Sequence, residues 1–425
     1  MNFNPTLHRL SNGIAVFIDP MDIETVAMKI LIKGGTRIEA PHEYGMTHFL
    51  EHMVFTGTKR HPTAKEMRDF LSDRGGTRGA STYLHKTEYR GRILAENLDV
   101  LVDCLSDMVL EPKLSEDCLD SERGIVIQEI NRSIDNQGRQ FAGLVKRSLF
   151  PGSYLAKYDG LGTVESVNSF TAAGLEAFRR AKYTADSIII GISGKIINPD
   201  AIVAQLESRF GAVPGGAVMT ANPGVVNPSI VYDVRDDKKQ TKIFLGFEDI
   251  YPVLRKYDYE LMCLGTFMGA LTRRLVEEIF DKRGLAYDFD PDGFGDRDLG
   301  VDGFYTSLSP EKLGEMIATI ATGCYDILHR NPVTDIEIKR RNIMRKLGRA
   351  DFIEDATRRC DKLLDFYADH GELYNPAEYD ALREKLNPDD VMKHSAGVFT
   401  PPISIIAQGP KCDLDLRAAW GDNFK

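Results

Sequence analysis

The chain of 425 residues is too long for one ordinary hydrophobic core, so its length predicts two or three domains. A hydrophobic fraction of 43% with 27% charged residues is typical of a globular protein and excludes a disordered or fibrous one. The net charge of −10, without a basic patch, argues against general nucleic-acid binding.

The cysteines and the N-terminal segment bear on the compartment. None of the six cysteines forms a C-x-x-C pair, and six in a chain of this length are not a disulfide framework, which favours a reducing compartment. The segment MNFNPTLHRLSNGIAVFIDP lacks the basic and long apolar regions of a secretory signal, and no apolar run reaches membrane-spanning length. We therefore expect a cytoplasmic protein without a membrane partner, although a processed periplasmic or mitochondrial form stays open.

In chain order, the first half alternates between strand-like and helix-like segments. IAVFI, TVAMKILIK and DSIIIGISG are typical of strands, whereas AKEMRDFLSDR, AENLDVLVDCLSDMVL and PDAIVAQLESRF are typical of helices. The stretch from Pro214 to Ser229 is rich in Pro, Gly and Asn and carries almost no charge, which indicates a linker. We predict a first domain over 1–213, a linker over 214–232 and a second domain over 233–425.

The second half repeats the order of the first. TVAMKILIKGG is echoed by QTKIFLGFEDI, and ADSIIIGISGKI is echoed by PPISIIAQGPKC. Repetition at about half the chain length predicts an α+β protein of two homologous α/β-roll domains, each a mixed or antiparallel sheet packed with helices. We expect the two domains to face each other across a cavity.

The stretch GMTHFLEHMVFTGT places His48, Glu51 and His52 within an apolar run. On a helix, two histidines four residues apart are neighbours on one face and can take two of the four positions around zinc. The glutamate between them would be free to handle a proton. The alternative is a helix that carries two hydrogen-bonded core histidines.

A catalytic zinc ion needs a third protein ligand, and the segment SERGIVIQEI offers candidates. In this segment Glu122 and Glu129 are seven residues apart and share one helix face. They could be two ordinary solvated glutamates. The apolar residues between them favour a partly buried helix, in which a carboxylate needs a partner.

These motifs resemble those of the insulinase/pitrilysin metallopeptidases, whose zinc signature is H-x-x-E-H. GGTRIEAPHEYGMTHFLEHMVFTGT, ERGIVIQEI, LGTVESVNSFTAAGLEAFRRAKYTADSIIIGISG and FMGALTRRLVEEIFDKRGLAY are similar to successive family segments, so the resemblance extends over nearly the whole chain. The length is similar to that of the mitochondrial-processing-peptidase-like subgroup and its bacterial relatives, which work as dimers of two-domain subunits.

The resemblance implies a role for each residue of the site. His48, His52 and Glu129 would bind one zinc ion per chain, Glu51 would be the general base, and Glu122 would steady a ligand. By the same resemblance Phe55 would border the cleft, although simple core packing is an equal alternative.

Two positions depart from the family pattern. Where relatives carry Asn-Ala-x-Thr on a sheet edge that binds substrate, this chain has Gly79, with Ala80 and Thr82 retained. Main-chain hydrogen bonds dominate strand addition, so we expect Gly79 and Ala80 still to bind substrate.

The second departure concerns an Arg and a Tyr that lie seven residues apart in relatives that are complete on their own. Here Tyr287 matches the catalytic Tyr, but Phe280 occupies the Arg position and cannot replace a guanidinium. Arg283 is an alternative, but we favour a solvated helix-end charge. We therefore expect a homologous partner subunit to supply an Arg/Tyr pair; a homodimer stays possible.

The leading hypothesis is a zinc endopeptidase that encloses unfolded peptides or leader segments between two-domain subunits. One alternative is a maturation protease dedicated to a single peptide. An alternative of another class is a non-proteolytic structural or binding subunit, against which the intact HFLEH and Glu129 argue. The wider resemblance disfavours a non-peptidase zinc hydrolase.

Overall fold

The computed structural model describes residues 3–156, 160–222, 224–248, 259–296, 299–399 and 402–424. Two units divide the chain, and neither is continuous. Unit 1 comprises the described residues within Met1–Asp135, Asp159–Ala221 and Gly348–Tyr374, and unit 2 those within Asn136–Tyr158, Asn222–Leu347 and Asn375–Lys425.

Unit 1 contains a six-stranded mixed sheet in the order β1-β2-β6-β3-β5-β4. Strands β2 and β6 are parallel, and the other neighbours are antiparallel. The strands, β1 to β6, are Thr6–Arg9, Ala15–Pro20, Thr25–Lys33, Thr77–Thr82, Lys86–Leu94 and Ile188–Gly194.

The central strand β3 is buried along nearly its whole length because both faces of the sheet are covered. Met28 and Ile30 belong to the large helical core on one face, whereas Leu31 packs in a smaller cluster on the other. One charged group of this strand, that of Lys29, is buried beside Glu88 with 2.9 Å between Nζ and Oε2. Pairing is what a buried ammonium group requires.

The helices of unit 1 include α1 to α4, α6 to α8 and α12, whose bounds are Met46–Met53, Ala64–Ser72, Leu98–Leu110, Glu116–Asp135, Val164–Ser169, Ala172–Lys182, Pro199–Phe210 and Ala356–His370. The predicted helices at AKEMRDFLSDR, AENLDVLVDCLSDMVL and PDAIVAQLESRF correspond to α2, α3 and α8. Helix α12 comes from the second half of the chain and packs Leu363 and Leu364 against Phe17, Leu31 and Ile189 of the sheet.

Unit 2 contains a five-stranded sheet in the order β7-β11-β8-β10-β9. In chain order its strands, β7 to β11, are Ile230–Val234, Thr241–Glu248, Asp290–Asp296, Leu299–Leu308 and Ile403–Gly409. The first pair, β7 and β11, is parallel and the others are antiparallel. Apart from β1, this topology is that of the first sheet, with β8 in the place of β3 and β11 in the place of β6.

The predicted repeat and the α+β class with two helix-packed mixed sheets are therefore confirmed. Both echoed pairs of segments fall on equivalent strands; only Asp249, Ile250 and Pro401 of those segments lie outside the described residues. The predicted cavity between domains stays a prediction.

The remaining helices belong to unit 2, except that α11 continues from unit 2 into residues assigned to unit 1. Helices α5, α9 to α11 and α13 to α15 are Gln137–Leu149, Tyr259–Val276, Leu313–His329, Asp335–Glu354, Pro376–Glu384, Pro388–Ser395 and Leu416–Gly421. In the described part of the chain, no helix is long and apolar enough to span a membrane.

The predicted domain limits remain predictions, and the two units differ from them by two segments. Residues 136–158 group with unit 2, and residues 348–374 group with unit 1. The second exchange follows from the apolar face of α12, which covers one face of the first sheet. Strand β7 begins at Ile230, inside the predicted linker, and the linker residue Pro223 lies outside the described residues.

Candidate metal centre

Helix α1 begins at a point where only glycine fits. Gly45 precedes the helix with φ of 90°, and a Cβ there would lie 2.5 Å from the Cα of Gly162. The buried carboxylate of Glu39 accepts hydrogen bonds from the backbone N–H groups of Gly45 and Thr47, at 3.0 and 2.8 Å. A carboxylate at a helix N-terminus satisfies free N–H groups and complements the helix dipole, so Glu39 fixes where α1 starts.

The HFLEH sequence divides between two faces of α1. Phe49, Leu50 and Met53 are completely buried in the core of unit 1. His48, Glu51 and His52 remain partly exposed. The apolar residues anchor the helix, while the three polar side chains point away from the core.

The helix α4 supplies the predicted third ligand. Val126 and Ile130 of α4 are buried in the same core as the apolar side chains of α1. This packing holds α4 in a position from which Glu129 reaches both histidines. Its Oε2 atom lies 3.5 Å from the Nε2 atom of His48 and 3.5 Å from that of His52.

This donor set fits a tetrahedral metal ion. One ligand atom from each of the three residues lies within 4.8 Å of the others. Ligands at 2.0–2.1 Å from zinc in tetrahedral geometry are about 3.3 Å apart, close to the separations from Glu129. Two imidazoles and one carboxylate are also a donor set found at catalytic zinc sites.

The predicted supporting glutamate contacts one of these histidines. Glu122 Oε2 lies 3.1 Å from Nδ1 of His52, so the ring can donate a hydrogen bond through Nδ1. The Nε2 atom, which faces Glu129, is then unprotonated and can bind a metal ion. Burial acts to lower the pKa of His52, but the hydrogen bond to Glu122 and the charge of Glu129 outweigh it and raise the pKa above its ordinary value.

Glu51 is held by strand β4. Its Oε2 atom accepts a hydrogen bond of 2.6 Å from the hydroxyl of Thr82. Burial raises the pKa of Glu51, although the hydrogen bond and the nearby His52 act to lower it. A carboxyl group of this kind, next to a metal site, suits proton transfer.

A cleft of about 620 Å³ adjoins these groups. Phe55 lines the cleft and also packs against the core of unit 1. Its surroundings therefore agree in part with each of the two predicted alternatives, a cleft residue and a core residue. Whether it binds substrate stays a prediction. The lining residues are Glu51, His52, Phe55, Thr56, Ala64, Asp117, Cys118, Ser121 and Glu122.

Gly79 and Ala80 lie on β4, at the edge of the first sheet. Ala80 packs against the core on the side of the sheet that carries α1, whereas a Cβ on Gly79 would point to the opposite side, towards Arg90. Their predicted role in substrate binding requires this edge position, but it stays a prediction.

The residues predicted from the second half belong to unit 2. Tyr287 is fully exposed, and its catalytic role stays a prediction. Phe280 packs against the core of unit 2, as expected of an apolar residue in place of an arginine. Arg283 lies near Glu278 and Glu315, at 3.7 and 3.3 Å, which is the surroundings of a surface charge at a helix end.

Two family models match the chain. The model described as "Insulinase (Peptidase family M16)" matches residues 15–150, and the model described as "Peptidase M16 inactive domain" matches residues 169–341. Together they match well over half of the chain. The chain belongs to the insulinase family, peptidase family M16.

Relatives of this M16 chain include proteins with names that specify a protease. This chain is 27% identical over 412 residues to a zinc protease of Rickettsia bellii. The alignment covers 96% of this chain and 98% of the relative. It is 26% identical over 335 residues to the beta subunit of the mitochondrial-processing peptidase of Dictyostelium discoideum, covering 74% and 71%. The His–His–Glu cluster and these relatives agree with the predicted zinc cofactor.

Solved structures share the fold. A protease from Helicobacter pylori superposes with a TM-score of 0.75 at 17% identity, covering 96% of this chain and all of that one. A peptidase M16 inactive domain from Pseudomonas fluorescens has a TM-score of 0.81 at 16% identity, with coverage of 97% and 99%.

Sequence reasoning missed three contributors to this M16 site. Glu39 lies before α1 in a segment without helical pattern, so its capping role had no local signal. The contact between Thr82 and Glu51 joins residues 31 positions apart. The position of Arg90 beside Gly79 required the register of β4 against β5, which pairs these two residues.

Proposed function

We propose that this chain is a zinc-dependent endopeptidase in which His48, His52 and Glu129 bind the metal and Glu51 is the general base. One observation carries the proposal. The carboxylate of Glu129 stands 3.5 Å from the Nε2 atoms of both histidines, and Glu51 lies on the same helix between them.

The chemistry that zinc supplies in such a site is Lewis-acid polarisation of the attacking water and of the scissile carbonyl. Glu51 would accept the proton of the water and pass it to the leaving amine nitrogen. Burial favours the protonated form of Glu51, which makes its carboxylate a stronger base for the first of these two transfers. The hydrogen bond from Thr82 would keep one carboxylate oxygen fixed and leave the other for the proton.

The neighbouring side chains would keep the ligands in place. The hydrogen bond between Glu122 and Nδ1 of His52 selects the tautomer that presents Nε2 to a metal. Glu39 holds the first turn of α1 in place, and the position of this helix in turn determines where both histidines lie.

The substrate in this proposal is an extended, unfolded peptide or leader segment. Strand β4 is an edge strand whose outer main-chain groups can pair with an added strand, and Thr82 at its end contacts Glu51. The relative named as a subunit of a mitochondrial-processing peptidase supports leader segments as one class of substrate.

We further propose that a homologous subunit completes the site. Phe280 packs against the core of unit 2 where complete relatives are expected to carry an arginine, so this chain lacks one of the two groups of the Arg/Tyr pair. A heterodimer in which this chain binds zinc and its partner contributes an arginine and a tyrosine is the arrangement that we favour.

The test is hydrolysis of a quenched peptide by zinc-loaded protein, alone and with a homologous chain that lacks HFLEH but carries the Arg/Tyr pair, if the same genome encodes one. We expect the wild type to cleave when the partner is present, and Glu51→Gln to bind one equivalent of zinc without cleaving under the same conditions. Glu66→Gln, on the exposed first turn of α2, is the matched control and should retain activity.

Normal cleavage by Glu51→Gln would refute Glu51 as the base. Zinc binding that survives His48→Ala and His52→Ala together would refute the ligand assignment. Full activity of the isolated chain would refute the need for a partner, without affecting the other two assignments.

A further inference from the structure

Strand β4 contacts the proposed base Glu51 at one end, through Thr82, and contains Gly79. It pairs only with β5 in the described part of the chain, so its other edge is open. Thr82 contacts Glu51, and Gly79 lies three residues earlier, roughly 10 Å along the strand. A peptide added to this edge would pass Gly79 before or after it reaches Glu51.

The guanidinium group of Arg90 lies over Gly79. A Cβ built on Gly79 would be 3.6 Å from Nε and 3.6 Å from Nη2 of Arg90. Residues directly opposite each other on neighbouring strands place their side chains on the same face. A substrate residue opposite Gly79 would therefore extend its side chain over the glycine towards this guanidinium.

Arg90 has no ion pair with any residue in the described segments, and the same holds for the nearby Arg92. Arg90 donates through Nη1 to the hydroxyl of Ser81 at 2.7 Å, and Arg92 donates to the hydroxyl of Thr25 at 2.9 and 3.1 Å.

Three carboxylates on this face of the sheet pair with two lysines. Lys29 pairs with Glu88 and Asp361, and Lys86 pairs with Glu88 and Asp365. All three carboxylates lie within ion-pair distance of the lysines and not of the two arginines.

A separate cavity of about 260 Å³ opens at this place. Any side chain at position 79 would begin 3.6 Å from the guanidinium group of Arg90. With glycine there, the guanidinium is accessible from the strand edge. Gly79, Arg90 and Arg92 are among the residues that line the cavity.

We propose that Gly79, Arg90 and Ser81 form a subsite that selects a carboxylate side chain, Asp or Glu, about three residues from the scissile bond. The inference rests on the proposed peptidase function and specifies its substrates. A guanidinium binds a carboxylate through two parallel hydrogen bonds, and the hydroxyl of Ser81 holds one end of the arginine in place.

The experiment uses pairs of quenched peptides that are identical except for Glu or Gln at one position, moved through four positions on each side of the cut. The active protein is assayed, with the homologous subunit if cleavage requires it. We expect kcat/KM to favour Glu by about tenfold at one position, which is the effect of one charge-assisted hydrogen bond.

Two variants remove the subsite in different ways. Arg90→Gln deletes the charge, and Gly79→Asp supplies an internal carboxylate to Arg90 at a position where an added Cβ has ordinary contacts. Each should bring the ratio of kcat/KM for the Glu peptide to kcat/KM for the Gln peptide, measured within the same variant, to about one. Arg180→Gln, an exposed arginine on α7, is the control and should keep the preference.

Equal cleavage of the Glu and Gln peptides by the wild type at every position would overturn the subsite alone. So would a preference that survives both Arg90→Gln and Gly79→Asp. If the wild type cleaves neither peptide faster than Glu51→Gln does, the proposed function fails and the subsite fails with it. Should Arg90→Gln not fold, Gly79→Asp decides.

Discussion

Glu122 Oε2 lies 3.1 Å from Nδ1 of His52, on the side of the imidazole ring opposite to Glu129. The contact joins α4 to α1 through the residue that would bind the metal. The ring is thus oriented by a carboxylate that does not itself belong to the donor set.

Removal of this contact should weaken metal binding without destroying the site. We expect Glu122→Ala to reduce the affinity for zinc by about 10–100-fold, because the ring of His52 loses its orientation and tautomer. Competition with a chromophoric chelator measures the change. Glu116→Ala, at the start of the same helix, is the control; an equal loss there would indicate a general effect on α4.

Zinc affinity should also depend on pH through His52. Its pKa in the metal-free protein is raised above the ordinary value of 6.5, and a protonated imidazole cannot bind metal. The affinity is therefore complete above the raised pKa and falls as pH drops through it, starting above pH 6.5.

The same titration should move in a Glu122 variant. Because the hydrogen bond to Glu122 raises the pKa of His52, Glu122→Gln should shift the loss of zinc affinity to lower pH. Chelator competition at several pH values gives both curves. Coincident curves would show that Glu122 does not act on this proton.

Thr82 should act on the rate of the chemical step more than on substrate binding. We expect Thr82→Val to lower kcat by about tenfold with little change in KM, because Glu51 loses the hydrogen bond that fixes its carboxylate. Thr82→Ser retains a hydroxyl and should restore most of kcat. A loss that appears in KM instead, or a serine variant as slow as the valine variant, would argue for a substrate-binding role.

The buried pair of Arg359 and Asp19 should be critical for stability. Two hydrogen bonds of 2.6 and 2.5 Å join them, and both side chains have no exposed surface. Arg359→Met leaves an unpaired buried carboxylate and should cost about 3–5 kcal/mol in the free energy of unfolding. Urea denaturation measures it.

The next arginine along the helix is a matched control. Arg358 is largely exposed and lies 3.2 Å from Asp351, so Arg358→Met should change the free energy of unfolding by less than about 1 kcal/mol. Similar losses in the two variants would mean that burial does not decide the effect.

Two glycines should respond to alanine in opposite directions. Gly124 lies within α4, and an added Cβ meets nothing within 4 Å, so Gly124→Ala should stabilise the protein by about 0.5–1 kcal/mol. Gly45→Ala would bring a Cβ to 2.5 Å from Gly162 and should destabilise it. Thermal melts of both variants test the pair; two shifts of the same sign would contradict it.

The sequence predicted those features that depend on local pattern or on spacing. Helix α8 begins and ends where its pattern does, and the echoed segments fall on equivalent strands. His48 and His52 were placed on one face by helical spacing, and the resemblance brought Glu129 to them. The remainder depends on distant pairs: the register of Gly79 against Arg90, the hydrogen bond of Thr82 to Glu51, and the packing of α12 on the first sheet.

The packing of α12 on the first sheet also affects how the protein is made. Asp19 and Arg359 are 340 residues apart, so a ribosome adding roughly 5–20 residues per second needs about 20–70 s to synthesise the chain between them. Until then one face of the sheet has no helix to cover Phe17, Leu31 and Ile189. The nascent N-terminal half would be a natural client of a chaperone that shields apolar strands, and a premature stop before residue 356 would release a fragment prone to aggregate.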